Sequence, residues 1–77
     1  MINGRRSVAN MKPGEVAIIS ELVDDHLSIK LMEMGCLPGA TVRFNFCAPF
    51  GDPVCISVSG YELSLRLEEA SAISILN

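Results

Sequence analysis

Two groups of side chains in this sequence have the chemistry to bind a metal ion or to react with an oxidant. Cys47 and Cys55 stand on either side of a loop that contains proline and glycine, and thiolates bind soft metals and form disulfides. Asp24, Asp25 and His26 offer carboxylate and imidazole donors at consecutive positions. Neither group has the spacing of a known metal signature. We therefore expect no dedicated metal site and no cofactor.

No set of residues in the sequence is typical of a catalytic centre. His26 is the single histidine, and its place in the first turn of a predicted helix favours a solvated surface side chain. We find no Ser/His/Asp or Cys/His arrangement. There is also no Gly-x-x-x-x-Gly-Lys-Ser/Thr loop, so the chain does not bind GTP through that motif. We predict no catalytic residue and a protein that is not an enzyme.

The size, charge and cysteine content of the chain limit the classes of protein to which it could belong. With 77 residues the chain is long enough for one domain, which we place over residues 1–77 with a loose start at 1–6. Six basic residues against nine acidic ones give a net charge of −3, which argues against nucleic-acid binding. No apolar run approaches the roughly 20 residues of a membrane helix. Three cysteines without a paired spacing favour reduced thiols and a cytoplasmic protein.

The stretch Thr41–Leu67 alternates apolar and polar residues with the period of a strand that buries one face. Two turn signals, Pro49–Pro53 and Ser59–Gly60, divide it into three strands of an antiparallel meander. Centring the first hairpin on Gly51 predicts three cross-strand pairs: Phe44 with Val58, Phe46 with Ile56, and Cys47 with Cys55. Both phenylalanines would then lie in the core, and the two thiols would face each other on the other side.

Four further segments are predicted to complete the fold around the meander. Glu15–Val23 contains a continuous apolar run, Val16–Ile19, as expected for a strand that is covered on both faces. Ala72–Leu76 is a last short strand, and Glu68–Ser71 makes a short helical turn before it. Ser7–Met11 makes one more helical turn near the start of the chain.

A single helix of about 25–34 is predicted between the first strand and the meander. Asp24 or Asp25 would cap its N-terminus, and Gly35 would take the left-handed conformation that ends a helix. The helix carries an apolar stripe at helical spacing, formed by Leu27, Leu31 and Met34. About five short strands in this order close most easily as a small β-barrel. The predicted fold class is therefore mainly β, with one inserted helix.

Four segments of the sequence resemble motifs of the FeoA family. Met11–Glu15 is similar to that family's entry to the first strand, and Lys30–Val42 is similar to its helix exit. Ala48–Val54 resembles its loop, and Tyr61–Ala70 resembles its last hairpin strand with the turn that follows. The resemblance runs from about Val8 to Ile75. It implies an SH3-like small β-barrel of about five strands with one inserted α-helix.

The resemblance also implies a function. FeoA proteins are cytoplasmic accessory proteins of bacterial ferrous iron uptake, and they work with FeoB, a membrane transporter that carries a GTP-binding domain. We therefore expect a protein that docks on a FeoB-type transporter and regulates or stabilises it, recruited by that partner to the inner face of the membrane. Edge strands of a small barrel can also pair between chains, so a homo-oligomer is a further expectation.

Phe50 is the leading candidate for partner contact, because Pro49 and Pro53 restrict the loop that carries it. The alternative is that Phe50 folds back as a lid on the barrel. The helix face with Met32 and Met34 is a second candidate, and its alternative is burial against the barrel. Our full set of predicted partner-binding residues is Leu37, Pro49, Phe50, Asp52, Lys30 and Arg43.

The sequence leaves two alternative roles for its basic side chains and two for its cysteines. Lys30, Arg43 and Arg66 could offer an arginine-finger-like group to a partner GTPase, or they could be solvated surface charges. Cys47 and Cys55 could be two unrelated small side chains, or they could form a redox- or metal-sensitive pair. The second interpretation of the cysteines gives the alternative function, a metal- or redox-responsive regulatory module.

Overall fold

The computed structural model describes residues 6–76, which form one antiparallel sheet with short helices. In chain order the elements are β1 (Arg6–Ser7), a 3₁₀ turn (Val8–Asn10), β2 (Val16–Leu22), α1 (Asp25–Glu33), β3 (Thr41–Cys47), β4 (Val54–Val58), β5 (Tyr61–Leu65), α2 (Leu67–Ser71) and β6 (Ile73–Leu76). Across the sheet the strands lie in the order β1-β6-β2-β3-β4-β5. The predictions of a mainly β fold, a three-stranded meander and a last short strand are confirmed.

Arg6, the first described residue, is more ordered than we predicted. Residues 1–5 lie outside the described part, but Arg6 belongs to β1 and pairs with Ile75, so the prediction of a loose start is wrong at this residue. The Arg6 guanidinium contacts both carboxylate oxygens of Glu15, at 2.6 and 3.0 Å. This bidentate pair lowers the pKa of Glu15 to about 2. Local sequence periodicity does not predict an ion pair between two separate segments of this kind.

Strand β2 buries only one of its two faces, so the prediction of two covered faces is wrong. Ile19 is buried in the core, whereas Val16 is 57% exposed and Ile18 is also exposed. Side chains alternate between the faces of a strand, and the register sets Val16 opposite Arg43 and Ile18 opposite Leu76. Within this apolar run, Val16 and Ile18 therefore lie on an exposed outer face of the sheet, while Ile19 lies in the core.

Helix α1 spans Asp25–Glu33, close to the predicted bounds. The carboxylate of Asp24 accepts hydrogen bonds from the backbone N–H groups of His26 and Leu27, at 2.8 and 3.2 Å. These bonds satisfy donors that the first turn of a helix leaves free. Gly35 follows the helix with a φ of +101°, the left-handed conformation that commonly ends helices. Both helix boundaries therefore follow from residue types that can be read in the sequence, an aspartate at the start and a glycine after the end.

The predicted register of the first hairpin is wrong by one residue next to the loop and by a second residue beyond a β-bulge in β3. Phe44 pairs with Ile56 instead of Val58, and Phe46 pairs with Cys55 instead of Ile56. The register shifts between these pairs, because β3 accommodates one extra residue at this point. Phe44 remains in the core at 3% exposure, while Phe46 is turned outward and is 60% exposed.

A nearly buried carboxylate, that of Glu69, joins α1 to α2. Its Oε2 accepts from the Nζ of Lys30 at 2.6 Å, and its Oε1 accepts from the backbone N–H of Arg66 at 2.8 Å. Both interactions favour the ionised carboxylate and hold the pKa of Glu69 below its ordinary value. Since a buried charge needs partners, Glu69 fixes α1 against the second half of the chain.

Replacing each of the two phenylalanines of β3 tests the bulge. We expect Phe44→Ala to lower the free energy of unfolding by about 3–5 kcal/mol, because it removes a buried ring. Phe46→Ala should change this free energy by less than about 1 kcal/mol, because the ring lies mostly in water. Urea denaturation of both variants provides the measurement. Equal losses would contradict the bulged register.

The Lys30–Glu69 ion pair predicts a pH-dependent contribution to stability. Because folding lowers the pKa of Glu69 below 4.5, the carboxylate stabilises the fold above that pH, and the stabilisation is lost as the pH falls through the folded pKa. Glu69→Gln should therefore unfold more easily than wild type at neutral pH, by about 1–3 kcal/mol. Chemical denaturation at about pH 7 and about pH 3 measures this difference. A difference that does not shrink at the lower pH would contradict the assignment.

Candidate functional site

The β3–β4 loop, residues 48–53, presents an aromatic ring to solvent. Phe50 is 98% exposed, so it does not act as a lid on the core. The N–H of Gly51 donates to the carbonyl of Ala48 at 2.7 Å, and the N–H of Ala48 donates to the carbonyl of Pro53 at 3.0 Å. These two hydrogen bonds close the loop on itself, so the ring stands on a constrained backbone.

Asp52 attaches this loop to α2, while Pro49 is exposed next to Phe50. The Oδ1 of Asp52 accepts a hydrogen bond from the backbone N–H of Leu67, the first residue of α2, at 3.0 Å. A carboxylate is favourable at this end of a helix. An open cavity of about 320 Å³ lies beside this contact and is lined by Asp52, Pro53, Ser64 and Arg66. In this structure Asp52 therefore positions the loop.

Leu37 lies at the opposite end of β3 from Phe50. It belongs to the turn before β3, where the N–H of Ala40 donates to the Leu37 carbonyl at 2.9 Å, and its side chain is 48% exposed. Phe50 lies beyond the other end of this strand of 7 residues, which spans roughly 20 Å. The structure therefore separates two predicted contact residues that the sequence could not place relative to each other.

The three basic side chains that could offer a cation to a partner GTPase have different surroundings. The ammonium group of Lys30 is held by Glu69, which gives it a structural role. Arg43 is exposed on the outer face of the sheet, opposite Val16. Arg66 is also exposed, and within residues 6–76 neither of these two guanidinium groups has an ion pair. Arg43 and Arg66 are solvated charges, whereas Lys30 belongs to the framework.

The prediction that Cys47 lies opposite Cys55 is wrong. Cys47 pairs with Val54, and Cys55 pairs with Phe46. Because directly opposite residues share a face and successive residues of a strand do not, the two thiols belong to opposite faces of the hairpin. Cys36 is fully buried, and burial beside a carboxylate raises the pKa of its thiol. A protonated, buried thiol is a poor nucleophile.

The described residues show no cluster of metal ligands. Within residues 6–76, no three side chains of the types His, Cys, Asp and Glu come together as a metal site would require. Asp24, one of the donors noted in the sequence, uses its carboxylate to cap α1. The same part of the chain contains no helix that is long and apolar enough to cross a membrane.

The second predicted contact face, that of Met32 and Met34, is divided in the structure, and several other exposed apolar side chains were not predicted. On α1, Ile29 and Met32 are exposed, while Met34 is partly buried against the core. The three-residue spacing of Ile29 and Met32 is a signal for a second helix face that could have been found. A further strip on the outer face of the sheet consists of Val16, Ile18 and Leu76. This strip depends on pairing between distant strands, so no local pattern reveals it.

Comparison with solved structures places this fold among known proteins. A FeoA-like protein from Clostridium acetobutylicum, solved by NMR, superposes with a TM-score of 0.87 and 26% identity, covering 97% of this chain and 88% of that one. FeoA from Stenotrophomonas maltophilia, a prokaryotic SH3 domain protein solved as a zinc complex, gives a TM-score of 0.82 at 22% identity and covers 92% and 89% of the two chains. The second likeness shows the fold alone, and it confirms the prediction of an SH3-like fold.

Sequence comparisons agree with the structural ones. Over 46 residues, 60% of this chain, the sequence is 39% identical to an Fe(2+) transport protein A/Fe(2+) transporter FeoB fusion protein from Porphyromonas gingivalis. The match spans 6% of that relative's length. A family model described as the FeoA domain matches residues 6–76. The chain therefore belongs to the FeoA family, which is associated with ferrous iron transport.

Proposed function

We propose that this protein is an accessory protein of ferrous iron uptake, which docks on the cytoplasmic side of a FeoB-type transporter and regulates or stabilises it. The observation that carries the proposal is the Porphyromonas gingivalis relative, in which the transport protein A and the transporter are fused. No chemistry is assigned to the chain itself, and the GTP-binding domain belongs to the partner.

A fusion of two proteins has a direct physical meaning. A short linker raises the effective concentration of one partner around the other to about the millimolar range. A linker alone does not fix an orientation, so the two folded parts need a contact surface if one is to regulate the other. A suitable surface has exposed side chains that are held in place before binding.

The β3–β4 loop is the best candidate for this surface. Phe50 is exposed, and aromatic residues contribute strongly to interfaces when a partner encloses them. The backbone hydrogen bonds of the loop and the Asp52–Leu67 contact already fix its shape. Binding would therefore lose little conformational entropy of the loop. Pro49 adds to the apolar surface, and Asp52 acts by holding the loop.

Leu37 forms a second, separate contact point in this proposal. Since β3 separates it from Phe50 by roughly 20 Å, a partner must be at least as large as a small domain to touch both. Arg43 would act at long range, because an unpaired guanidinium on an acidic protein steers the encounter with an acidic surface of a partner. Lys30 contributes indirectly by fixing α1 through Glu69.

The redox-responsive alternative loses its geometric basis, because Cys47 and Cys55 belong to opposite faces of the hairpin. No other observation favours it. Docking on the transporter is therefore the function that we carry to experiment. Failure of the wild-type protein to bind the transporter, with and without guanine nucleotide, would contradict it.

Replacing Phe50 tests the docking surface. We expect Phe50→Ala to raise the Kd for the detergent-solubilised transporter by about tenfold or more, because it removes a central aromatic contact. The fold should be unaffected, since the ring touches no core residue. Leu76→Ala is the matched control, because Leu76 is also an exposed apolar residue but lies on the outer face of the sheet. Biolayer interferometry of the three proteins gives the comparison.

Replacing Leu37 tests the second contact point. Leu37→Ala should raise the same Kd by roughly threefold to tenfold, because the half-exposed side chain has less area to bury. Normal binding by both the Leu37 and the Phe50 variants would show that the surface assignment is wrong. Loss of binding in the Leu76 control as well would show that the outer face of the sheet is the docking surface.

A further inference from the structure

Strand β5 is the last strand on one side of the sheet, and its pairing partner on the other side is missing among residues 6–76. A two-residue turn joins it to β4, with Ser59 and Gly60 at φ angles of +53° and +83°. In such a hairpin the flanking residues, Val58 and Tyr61, exchange hydrogen bonds with each other. The main-chain groups of Leu63 then also point toward β4, because the direction alternates along the strand.

The main-chain groups of Glu62 and Ser64 consequently point away from the sheet. Within the described chain, neither their N–H nor their C=O groups have a partner on that side. The next outward N–H, that of Arg66, is satisfied by the carboxylate of Glu69 at 2.8 Å. Both Glu62 and Ser64 have exposed side chains, and the open cavity of about 320 Å³ adjoins Ser64. The edge is therefore bare over one short segment.

We propose that this edge binds a second copy of the same chain, through antiparallel pairing of β5 with β5. In this arrangement Glu62 lies opposite Ser64 of the second copy, and Leu63 lies opposite Leu63 of the second copy. All outward N–H and C=O groups of Glu62 and Ser64 in both copies then form main-chain hydrogen bonds. The arrangement is isologous, so it closes as a dimer and does not propagate into a fibre.

Charge and hydrogen bonding select this register over its neighbours. Shifting the pairing by one step toward the turn sets Glu62 opposite Glu62 of the second copy, and like charges in this position repel. Shifting it the other way requires the N–H of Arg66, which Glu69 already occupies. The proposed register instead pairs a carboxylate with a hydroxyl and brings two leucine side chains together at its centre.

A pair of five-residue strands buries much less than the roughly 1,200 Å² of a stable interface. The dimer is therefore weak and forms in a concentration-dependent way. It uses neither Phe50 nor Leu37, so it is independent of the proposed docking on the transporter, and either proposal can fail without the other.

Hydrogen exchange of single amides tests the dimer directly in the wild-type protein. Between about 10 μM and about 1 mM protein, exchange of the Glu62 and Ser64 amides should slow at least about twofold, because pairing protects them. The amide of Leu63, which is already bonded to β4, provides the internal control and should not change. Sedimentation equilibrium over the same range should show the dimer.

A proline at the edge tests the same assignment by removing one donor. Ser64→Pro deletes an N–H that β4 does not use, so the variant should fold and remain a monomer at about 1 mM. Ser64→Ala keeps the N–H and should dimerise like wild type. Concentration-independent exchange and sedimentation of the wild-type protein would overturn the proposal, whether or not the proline variant folds. The proposal would also be overturned if the bound transporter protects the Glu62 and Ser64 amides while a high concentration of the protein itself does not.

Discussion

The six strands formed by residues 6–76 belong to one sheet, so each strand can bury only alternate side chains around a single core. This constraint governs the rest of the structure. It leaves apolar residues such as Val16 and Ile18 outside, because no second layer within residues 6–76 covers that face of the sheet. It also makes the bulge in β3 consequential, because one extra residue decides that Phe44 is inside and Phe46 is outside. The described residues form one core, which is as much as a chain of 77 residues is expected to build.

The same constraint is the reason that we propose recognition at a loop and at an edge of the sheet. The β3–β4 loop projects Phe50 from the sheet, while Asp52 fixes the base of the loop to α2. The edge of β5 offers hydrogen-bonding main chain in place of an apolar side chain. Glu69 accepts from the N–H of Arg66 at the end of the bare edge, and it lies in α2, the helix to which Asp52 attaches the loop. Docking on a transporter and pairing with a second copy can therefore use different chemistry on one small domain.

Local chemistry explains which features could be predicted from the sequence. Helix α1 was predictable because Asp24 and Gly35 mark its ends, and the meander was predictable from alternation and turn residues. The register was not, since the bulge is supported across the strands, where the Asn45 amide donates to the Ser57 hydroxyl at 2.9 Å. The Lys30–Glu69 pair joins residues 39 positions apart, so no periodic pattern in the sequence predicts it. For the candidate site, the sequence indicated which side chains to consider, but the distance between Leu37 and Phe50 required the fold.

Contact between the β3–β4 loop and the transporter is the central proposal. Hydrogen–deuterium exchange of this protein, measured by mass spectrometry with and without the detergent-solubilised transporter, tests the claim without any substitution. We expect slower exchange in peptides that cover residues 48–53 and the start of α2, because binding excludes water from the loop and stabilises its hydrogen bonds. Unchanged exchange in these peptides, with protection confined to the outer face of β2 and β6, would contradict it.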